Sequence, residues 1–265
     1  MNVITLSPWA LALAAVLVLA LALLSLRLRL TLTQEIIIAA LRTTVQLLLV
    51  GLVLKTLFTH VHLGLITLIA CVMVLIAGRE VVARQRHGYT GMWGFGMSVM
   101  SMAVSAFAVT VFALVVLIGT TPWYTPQYSI PLLGMMLGNT MSGVSLALDR
   151  LTQSAWHQRA QIEARLLLGQ DWRESVSGLR RDAVRVGLIP TVNAMAAAGV
   201  VSLPGMMTGQ ILAGTPPLEA VKYQILIMFL VTACTGFATL AAVWLGAKRL
   251  FDERERLRID RLRAE

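Results

Sequence analysis

Cysteine is nearly absent from this sequence, which has two cysteines in 265 residues. Cys71 and Cys234 both lie inside long apolar segments, which excludes a disulfide framework and a CxxC metal motif and leaves both thiols as small packing groups. The sequence also lacks a phosphate-binding glycine loop ending in Lys-Ser or Lys-Thr, an HExxH motif and a GxSxG motif. We therefore predict that the chain is not an enzyme, does not hydrolyse ATP and holds no cofactor of its own.

Charge is scarce as well: 13% of the residues are charged, 57% are apolar, and the mean hydropathy is +0.78. A soluble core of this length cannot hide so much apolar surface, whereas runs of about 20 apolar residues cross a bilayer as helices. We predict an all-α polytopic integral membrane protein with about seven transmembrane helices. The predicted spans are Val3–Leu26, Glu35–Phe58, Leu63–Arg84, Gly91–Ile118, Ser129–Leu148, Val186–Leu203 and Tyr223–Leu245.

The basic residues are distributed unevenly between the two sides of these spans. If the N-terminus is outside, 19 of the 22 Lys and Arg residues lie in cytoplasmic segments, and the outward connections 60–62, 119–128 and 204–219 contain none. The positive-inside rule then predicts a multi-pass protein of the inner (plasma) membrane with its N-terminus outside and its C-terminus in the cytoplasm. No basic residue precedes the first span, which argues against a cleavable signal peptide. The formal charge of +9 indicates orientation and affinity for membrane lipid, not for nucleic acid.

A charged segment, residues 149–188, interrupts the apolar chain. Ala155–Leu168 contains no Gly or Pro and has apolar residues at helical spacing, so we predict a helix that Gly169 ends. A second helix is predicted through Trp172, Val176 and Leu179. Two interpretations are open, namely a loop that a soluble partner binds and an amphipathic loop that lies on the lipid surface. The predicted organisation is a permease domain over residues 1–250, with this loop at about 150–187, and a basic cytoplasmic tail over 251–265.

Glu163-Ala164, followed after four residues by Gly169, resembles the EAA loop of bacterial ABC-transporter permeases, whose coupling helix docks into the ATPase. The distance from Gly169 to Pro190 is longer than in the usual importer pattern, which counts against an importer. From about Glu35 to Phe251 the chain resembles the Fet-type iron-export ABC permease family, whose plant relatives act in aluminium tolerance. The most specific blocks are Val201–Gly209 and Ala220–Gln224.

The resemblance implies a partner, a cytoplasmic ABC ATPase that binds ATP and Mg, and a working transporter of two permeases and two ATPases. It assigns ATPase coupling to Glu163, Ala164 and Gly169, and export of a metal cation, iron, to the assembly. Two alternatives remain at this point. One is a permease for a small polar organic solute such as a nucleotide sugar, and the other is a membrane scaffold or assembly protein without transport activity.

Polar residues inside the spans are candidates for the substrate path. A buried Arg costs about 2.5 to 3.5 kcal/mol on insertion scales unless it faces protein or water, so Arg42 is predicted to point inward. It either lines the path or clamps helices together through Asp149 or Asp182. The full set of predicted path residues is Arg42, Gln46, Asn139, Asn193, Met206 and Met207.

Pro204, Gly205 and Gly209 predict a broken helix at the outer end of the sixth span, interpreted as a gate. The thioethers of Met206 and Met207 suit soft metals, but the metal ligands stay unknown, because the histidines are scattered and His60 and His62 form a surface pair. The segment Phe251–Glu265 is predicted to form a short amphipathic helix on the cytoplasmic surface, with a second ATPase contact as the alternative.

Overall fold

A computed structural model describes residues 7–30, 32–59 and 62–263, and in these ranges the chain is helical, with β-structure limited to isolated bridges. The all-α fold is confirmed. The helices are α1 (Pro8–Arg27), α2 (Thr33–Thr59), α3 (Leu63–Ala83), α4 (Trp93–Phe112), α5 (Pro126–His157), α6 (Arg159–Leu167), α7 (Trp172–Ser175), α8 (Ser177–Ala197), α9 (Gly205–Leu212) and α10 (Pro217–Arg249), with a π-helical extension of α4 (Ala113–Ile118) and a 3-10 turn (Ile259–Arg261).

Six of these helices are long and apolar enough to cross a membrane. They are α1, α2, α3, α4 with its extension, α5 and α10, and they correspond to six of the seven predicted spans. The protein is therefore a polytopic membrane protein, as predicted.

The described residues 7–30 and 32–59, together with Leu212–Thr215, belong to one compact unit. Its helices α1 and α2 form a hairpin. The Ser7 hydroxyl caps α1 by accepting from the N–H of Ala10 at 3.4 Å, and the Thr33 hydroxyl donates to the Ala22 carbonyl at 3.4 Å, joining the start of α2 to α1. The N-terminal flank used for the orientation prediction, and His60, lie outside the described residues.

The second unit contains α3–α8, most of α9, and α10 with the tail. Its two longest helices, α5 and α10, have 32 and 33 residues and measure about 50 Å at 1.5 Å per residue. Both pack against α8. Helices α5 and α8 are in close contact at Gly143 and Gly187, where a Cβ added to Gly187 would lie 2.6 Å from the carbonyl oxygen of Gly143. Glycines on both helices permit this contact between backbones.

One end of this unit collects its charged connections, and we call it the basic face. There the N–H of Arg86, in the α3–α4 connection, donates to Asp149 of α5 at 2.9 Å, and the N–H of Thr90 donates to the Arg261 carbonyl of the tail at 2.8 Å. The tail in turn contacts α7, immediately before α8, through Glu255. Helix α10 therefore ends on the face where α8 begins, so the chain must cross the unit between Ser177 and Pro217.

That crossing corrects the sixth predicted span in two ways. Helix α8 begins at Ser177, not Val186, because charged residues occupy its first turns on the basic face and hide the helix from a hydropathy criterion. It also ends at Ala197, and α9 begins only at Gly205. The irregular backbone is thus residues 198–204, where Gly199 has φ +82° and the Ala197 carbonyl accepts from the N–H groups of the three residues 200, 201 and 202 at 3.4, 3.0 and 3.1 Å.

The predicted amphipathic helix in the tail is wrong. Apart from the 3-10 turn, the described tail, up to Arg263, is an extended and turning segment that packs back on the basic face. The N–H of Arg258 donates to the Leu250 carbonyl at 2.7 Å, and the Arg261 guanidinium donates to the Arg249 carbonyl at 2.8 Å. Leu262 is buried. These contacts supply hydrogen-bond donors to the carbonyl groups at the end of α10. They therefore stabilise the folded-back tail more than the hydrogen bonds of an isolated helix would.

Candidate functional site

Helix α6, on the basic face, ends in a motif that requires glycine. The N–H of Gly169 donates to the Leu166 carbonyl at 3.0 Å and that of Gln170 to the Arg165 carbonyl at 3.2 Å, which is the Schellman arrangement. Gly169 has φ +87°, a conformation that costs an L-residue about 1 to 2 kcal/mol. The sequence prediction that Gly169 stops this helix is confirmed. The predicted start at Ala155 is not, because α5 runs to His157 and α6 begins at Arg159.

The two sides of α6 differ in what they contact. Ile162 is buried and Leu166 packs against the core, whereas Leu167 and Leu168 are 89% and 84% exposed. Leu167 therefore does not share the inward face of Ile162 and Leu166, although all three are apolar. Three consecutive leucines, here residues 166–168, cannot all face inward on one helix. The exposure of at least one of them could therefore have been predicted from the sequence.

Helix α7 is short and capped from two directions. The Asp171 carboxylate accepts from the N–H of Glu174 at 2.7 Å, and Glu255 of the tail accepts from the N–H of Trp172 at 3.2 Å. The rings of Trp172 and Phe251 lie 5.9 Å apart. The tail therefore helps to position the loop that follows α6, a role that the sequence did not reveal.

A groove of about 780 Å³ runs between α6 and the tail, and we call it the α6–tail groove. One wall contains the predicted coupling residues Glu163 and Gly169 together with Leu167. Ala164 is exposed on the same helix. The opposite wall is the tail segment Arg254–Leu257. The groove thus presents apolar, acidic and basic groups together, as a protein-binding surface does.

The tail wall is held in shape by Asp252. Its carboxylate accepts from the N–H groups of Arg254 and Arg256 at 3.0 and 2.9 Å and from the Arg256 guanidinium at 2.9 Å. The hydrogen bond from the backbone of Arg256 holds the pKa of Asp252 below its usual range. The carboxylate stays ionised near neutral pH, so the turn keeps its geometry there.

Beneath the basic face, the structure brings together two histidines that the sequence analysis described as scattered. The buried His87 stacks on Trp156 with ring centroids 4.9 Å apart, and the His157 ring lies 6.4 Å away, edge to face. Nearby, the α3–α4 connection also buries Tyr89, and burial raises the pKa of its hydroxyl above the usual range. In residues 7–30, 32–59 and 62–263, no group of three or more His, Cys, Asp or Glu side chains could hold a metal ion. Since His60 is not described, the His60–His62 pair stays a prediction.

The predicted path residues fall in both units, which are described separately. Arg42 and Gln46 are exposed on α2 of the first unit. Asn139 and Asn193 are exposed on α5 and α8 of the second, two helices that pack side by side, and the Asn139 amide donates to the Met135 carbonyl at 2.9 Å. The role of these residues in a substrate path stays a prediction.

The two carboxylates proposed as clamps for Arg42 have other partners. Asp182 accepts from the Arg150 guanidinium at 2.6 Å, which links α8 to α5. Asp149 accepts from the Gln153 amide at 2.7 Å in addition to the N–H of Arg86. Both carboxylates therefore serve the basic face of the second unit.

The predicted gate residues flank the break and do not form it. Pro204 directly precedes α9, Gly205 is its first residue and Gly209 lies inside it. Met207 is buried, and the partly buried Met206 packs against the apolar core. The thioethers are thus in packing contacts in this conformation.

The sequence is similar to one protein family and to several known proteins. A family model described as "Uncharacterised protein family (UPF0014)" matches residues 8–251. The chain is 40% identical to a UPF0014 membrane protein of Synechocystis over 85% of this chain and 86% of the relative. It is 33% identical to the "Probable iron export permease protein FetB" of Escherichia coli over 84% and 83% of the two chains. It is 31% identical to "Protein ALUMINUM SENSITIVE 3" of Arabidopsis thaliana over 80% and 75%. No solved structure matches.

Proposed function

The chain belongs to the UPF0014 membrane protein family, and from this premise we propose that it is the membrane-spanning permease subunit of an ABC transporter that exports a metal cation, iron. The family membership confirms the resemblance drawn from the sequence, since one relative is named a probable iron export permease. In this proposal the chain is non-catalytic. A separate cytoplasmic ATPase subunit binds ATP and Mg, and two copies of each subunit make the transporter.

The observation that carries the proposal is the exposed end of α6. Leu167 and Leu168 present two large apolar side chains beside Glu163, on a helix whose other face is buried against its own protein. Exposed apolar groups rimmed by charge are typical of protein contact sites. They support docking of the ATPase at Glu163, Ala164 and Gly169.

The position of α6 counts against the alternative of a loop lying on lipid. Residues Pro126 to Asp149 of α5 already span about 36 Å, more than the roughly 30 Å of a bilayer core. The helix continues to His157 before α6 begins. Its last two turns carry α6 about 12 Å beyond Asp149, which favours a partner in solution.

One observation favours a different cargo for the same permease. Arg42 is exposed on α2 and belongs to the predicted path, and a guanidinium group is suited to contact phosphate oxygens of a cargo. A small polar organic solute, such as a nucleotide sugar, is therefore the second candidate. The experiment that distinguishes the two candidate cargoes measures whether iron or the organic solute stimulates ATP hydrolysis in the reconstituted complex. A scaffold without transport activity would respond to neither.

The test of the proposal is Gly169→Val in the complex of the chain with its ATPase subunit. Gly91→Val is the matched control, because Gly91 also has a positive φ, +70°, and open space around it, and lies in the α3–α4 connection, outside the groove. We expect Gly169→Val to abolish co-purification of the ATPase and substrate-stimulated hydrolysis while the membrane unit stays folded. Normal coupling in Gly169→Val, or equal loss in Gly91→Val, would contradict the assignment.

A further inference from the structure

A second pocket of about 450 Å³ lies between α8 and α10, near the basic face. Arg180, Arg181 and Arg185 line it, together with the hydroxyl-bearing Ser177 at the start of α8. No carboxylate of the described residues lines it. Three guanidiniums around one cavity of this size repel one another unless an anion is present.

The neighbouring acid on the same helix does not neutralise them. Asp182 is bound to Arg150 on the α5 side of α8. Among the residues that the structure describes, the guanidinium groups of Arg180, Arg181 and Arg185 make no hydrogen bond or ion pair. Their donors are therefore available to a ligand, and guanidinium groups bind phosphate oxygens in a bidentate manner.

The rest of the lining is apolar and comes from Val184 of α8 and from two residues of α10. Leu240 is 53% exposed, and Val243 forms the adjoining wall. One turn beyond Leu240, the half-exposed Trp244 has the Lys248 ammonium 5.5 Å from its ring centroid. Aromatic and basic side chains of this kind mark the level of lipid headgroups. The pocket thus lies at the level of the lipid headgroups. Its arginines are on the side of the headgroups, and its apolar wall is on the side of the acyl chains.

We propose that this pocket, formed by Ser177, Arg180, Arg181 and Arg185 against Leu240 and Val243, binds the phosphate headgroup of an anionic phospholipid from the cytoplasmic leaflet. A free phosphate would use the guanidiniums but not the apolar wall, whereas a lipid uses both. Basic pockets between transmembrane helices on the cytoplasmic side are known to hold such headgroups. The proposal does not depend on the identity of the cargo or of the ATPase.

The experiment measures lipid retention by the purified full chain with native mass spectrometry, using phosphatidylglycerol and phosphatidylcholine as probes. The test variant is R180Q/R181Q/R185Q. Its matched control is R86Q/R159Q/R254Q, which removes the same charge from exposed positions outside the pocket. We expect wild type to retain phosphatidylglycerol over phosphatidylcholine, the test variant to lose that retention by about tenfold or more, and the control to stay within about twofold.

Three further measurements decide between the possible ligands and guard against misfolding. Inorganic phosphate at the lipid's concentration should not displace phosphatidylglycerol, and displacement would overturn the proposal in favour of a soluble anion. A change in oligomeric state of the test variant with unchanged lipid preference would overturn it in favour of a second copy of the chain. If the triple variant fails to fold, Arg181→Gln and Arg185→Gln singly should each lower retention, and wild-type retention in both would also overturn it.

Discussion

At the residue scale, the proposed docking of the ATPase depends most on Leu167 and Leu168. Both are large apolar side chains that are exposed and do not pack in the core of the protein. We expect L167Q/L168Q to leave the chain folded, since neither side chain packs against the core. Docking should weaken, because each leucine buried in an interface contributes about 1.5 to 3 kcal/mol. The loss of about 2 kcal/mol or more corresponds to a roughly 30-fold rise in Kd for the ATPase subunit.

The matched control is V200Q/V201Q, which changes two side chains that are 88% and 84% exposed in the break after α8, at the opposite end of the unit. Pull-down or surface binding of the ATPase subunit should be unaffected in this control. Equal affinity for wild type and L167Q/L168Q would remove α6 from the docking site.

Met206 and Met207 pose a different question at the same scale, because both now have packing roles. M206L/M207L keeps volume and apolarity, so stability should change by less than about 1.5 kcal/mol. If the sulfurs contact cargo during the cycle, the double variant loses cargo-stimulated ATP hydrolysis and metal tolerance of expressing cells falls with it. Unchanged stimulation would leave the thioethers as packing groups and direct attention to Arg42, Gln46, Asn139 and Asn193.

At the element scale, the contact between α5 and α8 determines how the second unit holds together. A Cβ at position 187 would lie 2.6 Å from the Gly143 carbonyl oxygen and 2.8 Å from the Ala147 Cβ, so the two helices must separate in Gly187→Ala. We expect a loss of about 1 to 3 kcal/mol, the usual result of overpacking. Gly138→Ala is the control, because α5 has open space there. Thermal unfolding in detergent distinguishes them, and equal melting temperatures would show that the crossing tolerates a methyl group.

The elements also show what the sequence could and could not predict. Apolar runs predicted six spans, and Gly169 predicted the end of α6, because both depend on local chemistry. The start of α8 was missed because Arg180, Arg181 and Arg185 lie on the basic face and lower the local hydropathy. The sequence analysis placed the break at Pro204–Gly209, whereas the backbone turns at Gly199. The error arose because Pro204 lies just before the first residue of α9, and proline is as common at a helix start as in a kink.

The candidate site was predictable on one wall only. Glu163, Ala164 and Gly169 form a local pattern that sequence reading can find. The opposite wall depends on the tail folding back, through contacts such as Glu255 with the N–H of Trp172 and Arg261 with the end of α10. Such contacts join residues far apart in the chain, and no periodicity within the tail encodes them.

At the scale of the whole molecule, the basic face indicates which end of the second unit is expected in the cytoplasm. It gathers the α3–α4 connection, α6, α7 and the tail, which hold most of the arginines of the second unit. Cytoplasmic connections carry such an excess of positive charge, and this supports the proposed orientation with the C-terminus in the cytoplasm. The α6–tail groove and the pocket between α8 and α10 then lie on the same side of the membrane.

The orientation and the broken crossing can be tested together with paired reporters, one active only outside the membrane and one fluorescent only in the cytoplasm. Fusions after Gln170 and Glu265 are expected to report inside, and fusions after Tyr124 and Ser202 outside. The physical reason is that α8 starts on the basic face, where α10 ends, so the 198–204 break must lie at the opposite end. Gln170 and Ser202 on the same side would show that α8 does not cross, and Tyr124 and Glu265 on the same side would overturn the count of seven crossings.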